Sequence, residues 1–392
     1  MADFYTVLFI HQSSDLYGSD KTLLSLVTEL KNTKLHPVVI VPSDGALIEE
    51  FQAVGVEYFI VPSLVRASRA TFGIKGLLHL PFGGWKSLRA INAVLAGRHI
   101  DLVYSNTLAV LTGAFWSKLH DIQHVWHVHE IIRHPNLVRK FFAWMLNLMA
   151  DKVICNSEAT RLHLLNDVPK LSLKSAVVWN GLKRTIPVHH SHIKKLRKQV
   201  GVEAGDVLVV LMGRINSWKG QTLLIEAADK LSSKKYRNIK YLIIGSPPEG
   251  QEHYLESLKK QIDASPVKNN IKLLPFRNDI WTIWDACDIA VVPSLEPEPF
   301  GMVALEAMAA KKPVVASNHG GIKEIVVDKV TGFLFQAGEP DELAEKIALL
   351  AMNSSKRKAL GENGYLRQAE HFNTQKFVDS VVHHCLSTIN IH

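Results

Sequence analysis

Short apolar runs typical of β-strands alternate with helical stretches along most of the chain. Before residue 181 these runs span residues 4–10, 36–41, 56–61, 100–105, 123–128, 151–157 and 175–180, and after residue 205 they span 206–212, 239–246, 270–279, 288–294 and 313–321. Strands that alternate with helices form parallel sheets, because each return to a parallel neighbour needs a crossover. The pattern therefore predicts an α/β fold of doubly wound parallel sheets, whose ligands bind beyond the carboxyl ends of the strands.

A polar break divides this pattern in two. Between Gly181 and Gly205 the sequence is basic, contains one proline and has no strand-like run. With 392 residues and 47% hydrophobic content, the chain can fill the cores of two domains of ordinary size. We therefore expect a first Rossmann-like domain at residues 1–184, a linker at 185–204 and a second Rossmann-like domain at 205–372. The linker histidines, at positions 189, 190 and 192, favour a solvated hinge over a metal site.

Cysteine usage and the absence of long apolar segments bear on the compartment. The three cysteines, Cys155, Cys287 and Cys385, are odd in number, widely spaced and in apolar surroundings, which predicts reduced core thiols in a cytoplasmic protein. No basic segment followed by an apolar run opens the sequence, and no uncharged apolar stretch approaches the roughly 18 residues of a membrane span. Any membrane role is therefore expected to be peripheral.

The formal net charge of +8 favours anionic partners, namely nucleic acid, anionic lipid or phosphate-bearing substrates. Between Glu57 and Asp101 there is no acidic residue. The basic residues of that interval are Arg66, Arg69, Lys75, Lys86, Arg89 and Arg98, and its bulky apolar residues include Phe72, Leu77, Leu78, Leu80, Phe82 and Trp85. Because this mixture is typical of a membrane interface, residues 66–98 are a candidate contact with an anionic membrane surface. The alternative is a solvated loop and helix.

The stretch from residue 291 to 321, VVPSLEPEPFGMVALEAMAAKKPVVASNHGG, predicts a strand, a loop, a helix, a second strand and a glycine turn. Two glutamates of the loop each precede a proline, which keeps the backbone extended until about Phe300. Glu298 is then expected at the carboxyl end of a strand, where open α/β sheets bind ligands. The amides near Gly301 are expected to open a helix N-terminus that faces phosphate.

Glu306 is the only charged residue in the apolar run 302–310, so the helix after the loop is expected to be buried. A buried ionised carboxylate needs a cation or several hydrogen-bond donors, because burying it alone is strongly unfavourable. Sugar hydroxyls are suitable donors. Farther along, Gly320 and Gly321 lack side chains, which would let their amides face a phosphate or a sugar.

A basic loop, GRINSWKG at residues 213–220, follows the first strand of the second domain. Arg214 and Lys219 lie on it between glycines, where an arginine fork and a lysine point charge beside closely approaching backbone suit a diphosphate. The alternative is a surface loop with incidental basic residues. Phe276 and Arg277 end a later strand, and we expect that end to face a nucleotide base.

In the first domain, the loop HQSSDLYGSD at residues 11–20 precedes an apolar-periodic helix. Ser19 and Asp20 can cap that helix and Gly18 lets the backbone turn sharply, so the loop is a candidate for binding an oxyanion or an acceptor. The alternative is an ordinary βα turn. A single glycine is a weak signal, and the loop lacks the G-x-G-x-x-G pattern of dinucleotide sites.

Histidines alternate along the strand WHVHE, where His127 and His129 are followed by Glu130. One of the two should point toward the ligand edge, and their position at a strand's carboxyl end favours a functional role. The alternatives are a core histidine satisfied by a backbone partner and a metal ligand. A metal site is disfavoured because no third ligand stands at a suitable spacing.

The sequence PSLEPEPFGMVALEAMAAKKPVVASNHGGIKEIV, in which seven residues separate Glu298 from Glu306, resembles the glutamate-x7-glutamate signature of the retaining glycosyltransferases of family 4, the glycosyl transferases group 1. The loop G-R-x4-K-G also matches that family's donor phosphate motif. The resemblance implies the GT-B fold, in which two Rossmann-like domains face each other across a cleft. It implies a donor on the second domain, an acceptor on the first, and a final helix, residues 373–392, that crosses back to the first domain.

The resemblance also implies roles for single residues. Glu306 would hold the donor ribose and Glu298 the transferred sugar, while His129 would lie near that sugar. The implied catalytic residues are Glu298, His129, Arg214 and Lys219, the implied donor-binding residues are Arg214, Lys219, Phe276, Arg277, Glu298, Phe300, Gly301, Met302, Val303 and Glu306, and the implied acceptor or phosphate loop contains Gly18 and Ser19. Arg214 and Lys219 would stabilise the leaving diphosphate, so no metal or other cofactor is expected, and the chain has no D-x-D triplet.

One residue departs from the family pattern. Pro299 replaces the glycine of the common E-G-F-G form, which stiffens the loop and could shift the sugar preference.

The implied function is transfer, with retention, of a hexose-type sugar from a UDP- or GDP-linked donor to a glycan or polyprenyl-linked acceptor. Such a reaction would belong to bacterial surface polysaccharide biosynthesis, for example of lipopolysaccharide, on the inner face of the plasma membrane. One alternative is a sugar-nucleotide epimerase or a phosphorylase of the same fold, but these lack the glutamate spacing. A basic nucleic-acid-binding protein is a distant alternative, because the positive charge is diluted through α/β units without a nucleic-acid motif.

Overall fold

The computed structural model describes residues 4–67, 74–184 and 187–390, with all of their side chains except those of residues 74–82 and 234. The chain forms two compact units. The first contains Met1–Gly181 and Thr374–His392, and the second contains Leu182–Asn373. Each unit is built around its own parallel sheet.

In the described part of the first unit, seven strands form a parallel sheet with the order β3-β2-β1-β4-β5-β6-β7. These strands are β1 Tyr5–His11, β2 Leu35–Val41, β3 Glu57–Ile60, β4 Leu102–Asn106, β5 His124–Val128, β6 Lys152–Cys155 and β7 Ser175–Val177. Strands β1, β2 and β3 follow one another toward one edge of the sheet, and strands β4 to β7 follow one another toward the other edge. The point between β1 and β4 is therefore a topological switch point, where doubly wound sheets bind ligands.

Helices cover both faces of this sheet. They are α1 Gly18–Leu30, α2 Ala46–Val54, α3 Ile74–Leu95, α4 Thr112–Leu119, α5 Asn136–Met149 and α6 Glu158–Asp167, followed by a short 3-10 turn at Pro169–Leu173. Because side chains alternate along a strand, Val7 and Phe9 of β1 pack on the side of α1 and α2, whereas Leu8 and Ile10 pack on the side of α3 and α4. Both faces of the sheet are thus buried, as parallel sheets require.

The described residues of the second unit contain a six-stranded parallel sheet with the order β10-β9-β8-β11-β12-β13. Its strands are β8 Val207–Met212, β9 Ile239–Ile244, β10 Ile271–Leu274, β11 Ile289–Val292, β12 Val314–Ser317 and β13 Gly332–Phe335. Its helices are α7 His190–Gln199, α8 Gln221–Lys230, α9 His253–Ala264, α10 Ile280–Ala286, α11 Met302–Ala309, α12 Ile322–Ile325, α13 Pro340–Ala351 and α14 Ser354–His371. The switch point of this sheet lies between β8 and β11.

Half of the segment expected to be a linker, residues 190–199, is helical. Helix α7 buries Leu196 and packs against α10. Arg197 fixes this position, because its Nη1 donates to the carbonyl of Ala286, at 2.7 Å, and to Asp288 Oδ2, at 3.0 Å. The segment therefore belongs to the second unit, whose boundary lies between Gly181 and Leu182.

Helix α15, Thr374–Ile389, follows the second unit in sequence but belongs to the first. It packs beside α1. Its buried side chains Phe377, Val378, Val381 and Cys385 join the core that contains β1 and β4 residues. That the final helix crosses back to the first unit was implied only by the family resemblance, not by any pattern in the sequence.

The expected fold class is confirmed, since two Rossmann-like parallel-sheet units account for the described chain. The three cysteines also lie in the core, as predicted. All three cysteines are buried and free, and burial raises the pKa of the Cys155 and Cys287 thiols to about 12. Within the described ranges, no helix is long and apolar enough to cross a membrane.

Candidate active site

Two loops meet at the switch point of the second unit, one after β8 and one after β11. The backbone N–H of Leu295 donates to the carbonyl of Trp218 at 2.7 Å, which joins them. Gly220 makes the approach possible, because its φ is +75° and a Cβ there would lie 1.9 Å from the carbonyl oxygen of Pro293. Asn216 fixes the first loop by accepting from the amides of Trp218 and Lys219.

Lys219 and Glu298 are thereby brought into direct contact. The Lys219 ammonium lies 2.7 Å from Glu298 Oε1, and the Ser294 hydroxyl donates to the same oxygen at 2.5 Å. Glu298 is buried and Lys219 is partly buried, so the pair is screened less than a surface ion pair. The sequence predicted both residues for the site, and the structure places a cation and a carboxylate side by side at the ligand edge.

A glycine turn supports the backbone of Glu298. Gly320 has a φ of +65°, and a Cβ there would lie 2.4 Å from the carbonyl oxygen of Glu298. The amide of Gly321 donates to that same carbonyl at 2.8 Å. This corrects the expectation that the Gly321 amide faces a phosphate or sugar. His319 adds a third link, because its Nε2–H donates to the carbonyl of Ser294 at 2.8 Å.

Glu306 lies on α11 and is buried, as the apolar pattern predicted. The indole Nε1–H of Trp284, a fully buried residue of α10, donates to Glu306 Oε2 at 3.2 Å. Sequence reasoning missed this donor, because nothing local connects two residues on different helices. The helix begins after Gly301, whose φ is +120°, and Met302 and Val303 form its partly buried first turn.

The ring of Phe300 is buried and is not exposed at the ligand edge. It is 2% exposed and packs edge-on against Phe372, with the ring centroids 6.0 Å apart. Phe300 is therefore a core residue, and any contact that it makes with a donor would involve its backbone.

The remaining predicted donor-binding residues are more exposed. Arg214 is exposed, and its carbonyl accepts from Gln221 Nε2 at 2.9 Å. Phe276 is exposed just beyond β10, which is the edge strand. Arg277 makes a two-pronged pair with Asp279, at 2.8 and 2.7 Å, and these hydrogen bonds raise the pKa of the guanidinium. Asp279 was not predicted as its partner.

A second polar cluster lies at the switch point of the first unit. His11 ends β1, Asn106 ends β4 and His129 follows β5. His11 Nε2 lies 2.6 Å from Asp20 Oδ1, and Asn106 lies between the two histidines, 3.0 Å from His11 Nδ1 and 3.0 Å from His129 Nε2. Sequence reasoning selected His129 but missed His11, although a histidine ending the first strand and an aspartate in the next helix's first turn were a usable signal.

Helix α1 begins at Gly18, before the predicted caps Ser19 and Asp20, and Asp20 reaches back to the N-terminus from the third helical position. Its carboxylate accepts from the amide of Tyr17 at 2.8 Å and from the hydroxyl of Ser13 at 2.5 Å. Burial alone would raise the pKa of Asp20, but the hydrogen bonds that its carboxylate accepts, from His11 above all, outweigh this effect and the pKa is lowered. Gly18 is exposed and Ser19 is partly buried at the start of this helix.

Glu130 joins the ends of β4 and β5. Its Oε2 accepts from the amides of Leu108, at 3.1 Å, and His129, at 3.0 Å. Burial raises the pKa of Glu130 to about 7. Burial also lowers the pKa of His129 to about 3, although the ring keeps part of its surface in solvent, so His129 is neutral near pH 7.

The part of the chain that the structure describes contains no group of three or more His, Cys, Asp or Glu side chains arranged to hold a metal ion. This includes the linker histidines. The ring centroids of His189 and His192 are 6.2 Å apart, and His189 instead accepts from the amide of Ser191 at the start of α7.

Two protein families match the sequence. Residues 17–210 match Glycosyltransferase Family 4, and residues 192–367 match Glycosyl transferases group 1. An uncharacterized glycosyltransferase of Methanocaldococcus jannaschii is 30% identical over 291 residues, which cover 70% of this chain and 74% of the relative. The D-inositol 3-phosphate glycosyltransferase of Corynebacterium kroppenstedtii is 27% identical over 220 residues, 55% of this chain and 48% of that protein.

Solved structures also match over nearly the whole chain. The Anabaena protein HepE in complex with UDP-glucose has a TM-score of 0.82 and 27% identity, with 97% of this chain and 99% of that chain covered. A glycosyltransferase from Rickettsia africae has a TM-score of 0.81 and 20% identity, with 99% and 100% covered, and shows the same fold.

Proposed function

The chain is a glycosyltransferase that belongs to glycosyltransferase family 4 and has the GT-B fold, and from this we infer that it transfers a hexose from a UDP-linked donor, with retention of configuration. UDP is favoured over GDP because HepE, at 27% to 28% identity, was crystallised with UDP, with UDP and glucose, and with UDP-glucose. The same neighbours favour a glucose-type sugar.

The contact between Lys219 and Glu298 is the observation that carries this proposal. A nucleotide sugar carries its negative charge and its sugar hydroxyls on either side of the bond that breaks. The structure places a cation 2.7 Å from a carboxylate at the ligand edge of the second sheet. Lys219 suits the diphosphate and Glu298 suits the hydroxyls, because a carboxylate accepts and an ammonium donates.

In the proposed reaction, the bond between the anomeric carbon and the β-phosphate oxygen breaks, and its electron pair leaves with UDP. The acceptor hydroxyl forms the new bond on the same face of the sugar, and its proton passes to the departing phosphate oxygen. Arg214 and Lys219 stabilise the charge that develops on the diphosphate, which makes a metal ion unnecessary. Glu306, held by the indole of Trp284, accepts hydrogen bonds from the ribose hydroxyls.

We assign the acceptor to a lipid-linked or glycan substrate at an anionic membrane, in bacterial surface polysaccharide synthesis on the inner face of the plasma membrane. An apolar stripe on α5 supports this assignment. The stripe consists of Leu137, Phe141, Trp144 and Leu148, which are 83%, 38%, 55% and 56% exposed. These positions recur at intervals of four, three and four residues on one side of the helix, and α5 contains no acidic residue.

Part of the stretch 66–98, predicted to contact the membrane, lies outside the described residues. Arg98 is paired with Glu57 at 2.7 Å, and Arg69 and Phe72 lie outside the described residues, as do the side chains of residues 74–82. Within α3, Trp85 is exposed and the Arg89 guanidinium lies 4.6 Å from its ring centroid. This pair has the character of an interfacial contact.

The donor is tested by thermal unfolding with UDP, GDP, ADP and the corresponding nucleotide sugars. A ligand at 100 times its Kd adds about 2.7 kcal/mol of stability, so the uridine compounds should raise the Tm by several degrees. Transfer from UDP-glucose should then persist in EDTA and fall by about 10²-fold or more in Lys219→Ala. Stabilisation by GDP alone, or a strict need for added magnesium or manganese, would overturn the proposal.

A further inference from the structure

A continuous row of four side chains leads from α1 to His129. Asp20 Oδ1 lies 2.6 Å from His11 Nε2, His11 Nδ1 lies 3.0 Å from Asn106 Nδ2, and Asn106 Oδ1 lies 3.0 Å from His129 Nε2. These residues come from four separate places in the sequence. They meet because the switch point brings the ends of β1 and β4 together and β5 lies next to β4.

The chemistry of the Asn106 amide fixes where the protons are. An amide oxygen only accepts and an amide nitrogen only donates. Asn106 Oδ1 therefore requires a proton on His129 Nε2, and Asn106 Nδ2 requires a lone pair on His11 Nδ1. His11 then carries its proton on Nε2, where it donates to the Asp20 carboxylate.

The reversed amide is less compatible with these contacts. With Oδ1 toward His11, both nitrogens of His11 would need protons, since Nε2 already faces Asp20. The backbone carbonyl of Asn106, 3.3 Å from His11 Nδ1, would suit that doubly protonated ring, but it is farther away than the amide nitrogen at 3.0 Å. The Asp20 carboxylate also accepts hydrogen bonds from the Ser13 hydroxyl and the Tyr17 amide. These bonds stabilise its charge without a second proton on His11.

We propose that Asp20, His11 and Asn106 are positioning residues that hold His129 in the tautomer protonated at Nε2, so that Nδ1 presents a lone pair to a sugar hydroxyl. The inference rests on the proposed function and on the family resemblance, which implies a place for His129 near the transferred sugar. In this tautomer, the bare Nδ1 of the neutral imidazole accepts a hydrogen bond from the O–H of the sugar hydroxyl. The opposite tautomer would present an N–H, which would donate to the hydroxyl oxygen instead and leave the hydroxyl proton in need of another acceptor.

The surroundings hold the ring as well as the proton. Glu130 fixes the backbone of His129 through the amide contact at 3.0 Å. The ring of His127 lies against that of His129, with the centroids 3.9 Å apart. The Thr107 amide donates to the carbonyl of His127 at 2.9 Å, which keeps the ends of β4 and β5 in register. The ring therefore has little freedom to change its partner.

A neighbouring histidine provides a matched control. His124 Nε2 lies 2.9 Å from the hydroxyl of Ser105, which is the residue before Asn106 and is equally buried. A hydroxyl both donates and accepts, so it does not select a histidine tautomer. Ser105→Ala therefore removes a buried histidine partner from the same strand without touching the row that ends at His129.

Nitrogen-15 spectra of the full-length protein with labelled histidine test the proposal without any sugar transfer. The chain has 19 histidines, so the His129→Gln variant identifies the signals that belong to His129. We expect the wild-type signals to show a proton on Nε2 and a bare Nδ1 at pH 7. Asn106→Ala should mix the two tautomers, whereas Asn106→Asp, which keeps an oxygen acceptor, and Ser105→Ala should keep the wild-type pattern.

Kinetics distinguish a positioning role from a structural one. Asn106→Ala should lower transfer by about tenfold, the effect of one lost polar hydrogen bond, while UDP affinity stays unchanged and Asn106→Asp recovers part of the rate. A proton on Nδ1 of His129 in the wild type, or equal losses in Asn106→Ala and Ser105→Ala, would overturn the inference. Because the wild-type spectrum decides the tautomer by itself, an unfolded variant or an absent transferase activity leaves it testable.

Discussion

Lys219 has two anions within its reach when a donor binds. One is Glu298, 2.7 Å away in the protein, and the other is the proposed diphosphate. An ammonium has three N–H groups, so it can contact both, but each added partner weakens the first. In the proposed site, the nucleotide would therefore compete with a carboxylate of the protein for this cation, and that competition would set part of its affinity.

This competition leads to a prediction for Glu298→Gln. The variant keeps the shape of the side chain but removes its charge, so UDP should bind as tightly as in the wild type or more tightly. Transfer should fall by about 10²-fold, since the amide holds the sugar less well as charge develops. Calorimetry with UDP and initial transfer rates measure the two effects.

Glu296→Gln is the matched control, because Glu296 is exposed, also precedes a proline and lies two residues away. It should behave as the wild type in both measurements. Glu306→Ala should instead weaken UDP binding, by about 1–3 kcal/mol. If Glu298→Gln weakens UDP binding as much as Glu306→Ala does, the separate roles of the two glutamates are wrong.

At the residue level, the sequence predicted groups whose chemistry stands out locally. Lys219 was predicted because it lies on the loop after a buried strand, and Glu298 because it lies at the carboxyl end of another strand. Their mutual contact was not predicted, and neither were the pairs of Trp284 with Glu306 and of His11 with Asp20. The first two contacts depend on which strands and helices are neighbours and on side-chain directions, and no local pattern encodes either. His11 and Asp20, by contrast, are only nine residues apart, and that pair could have been predicted.

At the scale of elements, the loop that carries Glu298 depends on the glycine turn after β12. The Gly321 amide holds the carbonyl of Glu298 at 2.8 Å, and Gly320 leaves no room for a side chain beside it. The loop itself is stiff because prolines flank Glu298 on both sides. The turn therefore sets the position of the carboxylate as much as the loop does.

Gly320→Ala tests this dependence. The new methyl group would lie 2.4 Å from the Glu298 carbonyl oxygen, so the loop must move and transfer should fall by at least tenfold. Gly338→Ala is the control, because Gly338 also has a positive φ, +86°, but a methyl group there would meet no side chain or backbone within 4 Å beyond its chain neighbours. It should lower stability by about 1 kcal/mol and leave transfer unchanged.

Thermal unfolding and transfer rates of the two variants provide the comparison. Equal transfer rates in Gly320→Ala and Gly338→Ala would show that the glycine turn does not position Glu298, and that Gly320 is needed only for its backbone conformation.

The sequence predicted most elements because strand runs and helical periods alternate clearly. It missed α7 because that helix, HSHIKKLRKQ, is almost wholly polar and buries Leu196 alone. A helix with one buried side chain has no apolar period to detect. Its stability comes from tertiary contacts such as those of Arg197, which the sequence does not show.

At the scale of the whole molecule, positive charge and exposed apolar groups act together. In the proposed membrane contact, the net charge of +8 would attract the chain to an anionic surface, which the apolar stripe of α5 would enter. The charge contribution is screened by salt, whereas apolar insertion is not. The proposed membrane contact should therefore have a salt-sensitive part and a salt-resistant part.

Sedimentation with vesicles measures both parts. We expect stronger binding to anionic vesicles than to neutral ones, with a remainder that persists at high salt. Trp144→Ser with Leu148→Ser should remove this remainder. Leu366→Ser in the second unit is a matched control, because Leu366 and Leu148 are 57% and 56% exposed. Failure to bind either kind of vesicle would leave the stripe without a membrane role and would favour a soluble acceptor.

The placement of α15 has a consequence for the time course of folding. The ribosome makes this helix only after the entire second unit, yet Phe377, Val381 and Cys385 fill the same core as Val7 and Phe9 near the start of the chain. Until residues 374–389 emerge, the nascent first unit lacks one wall of that core and keeps apolar surface open to water. The unit synthesised first is therefore completed last, and this apolar surface stays exposed while the whole second unit is translated.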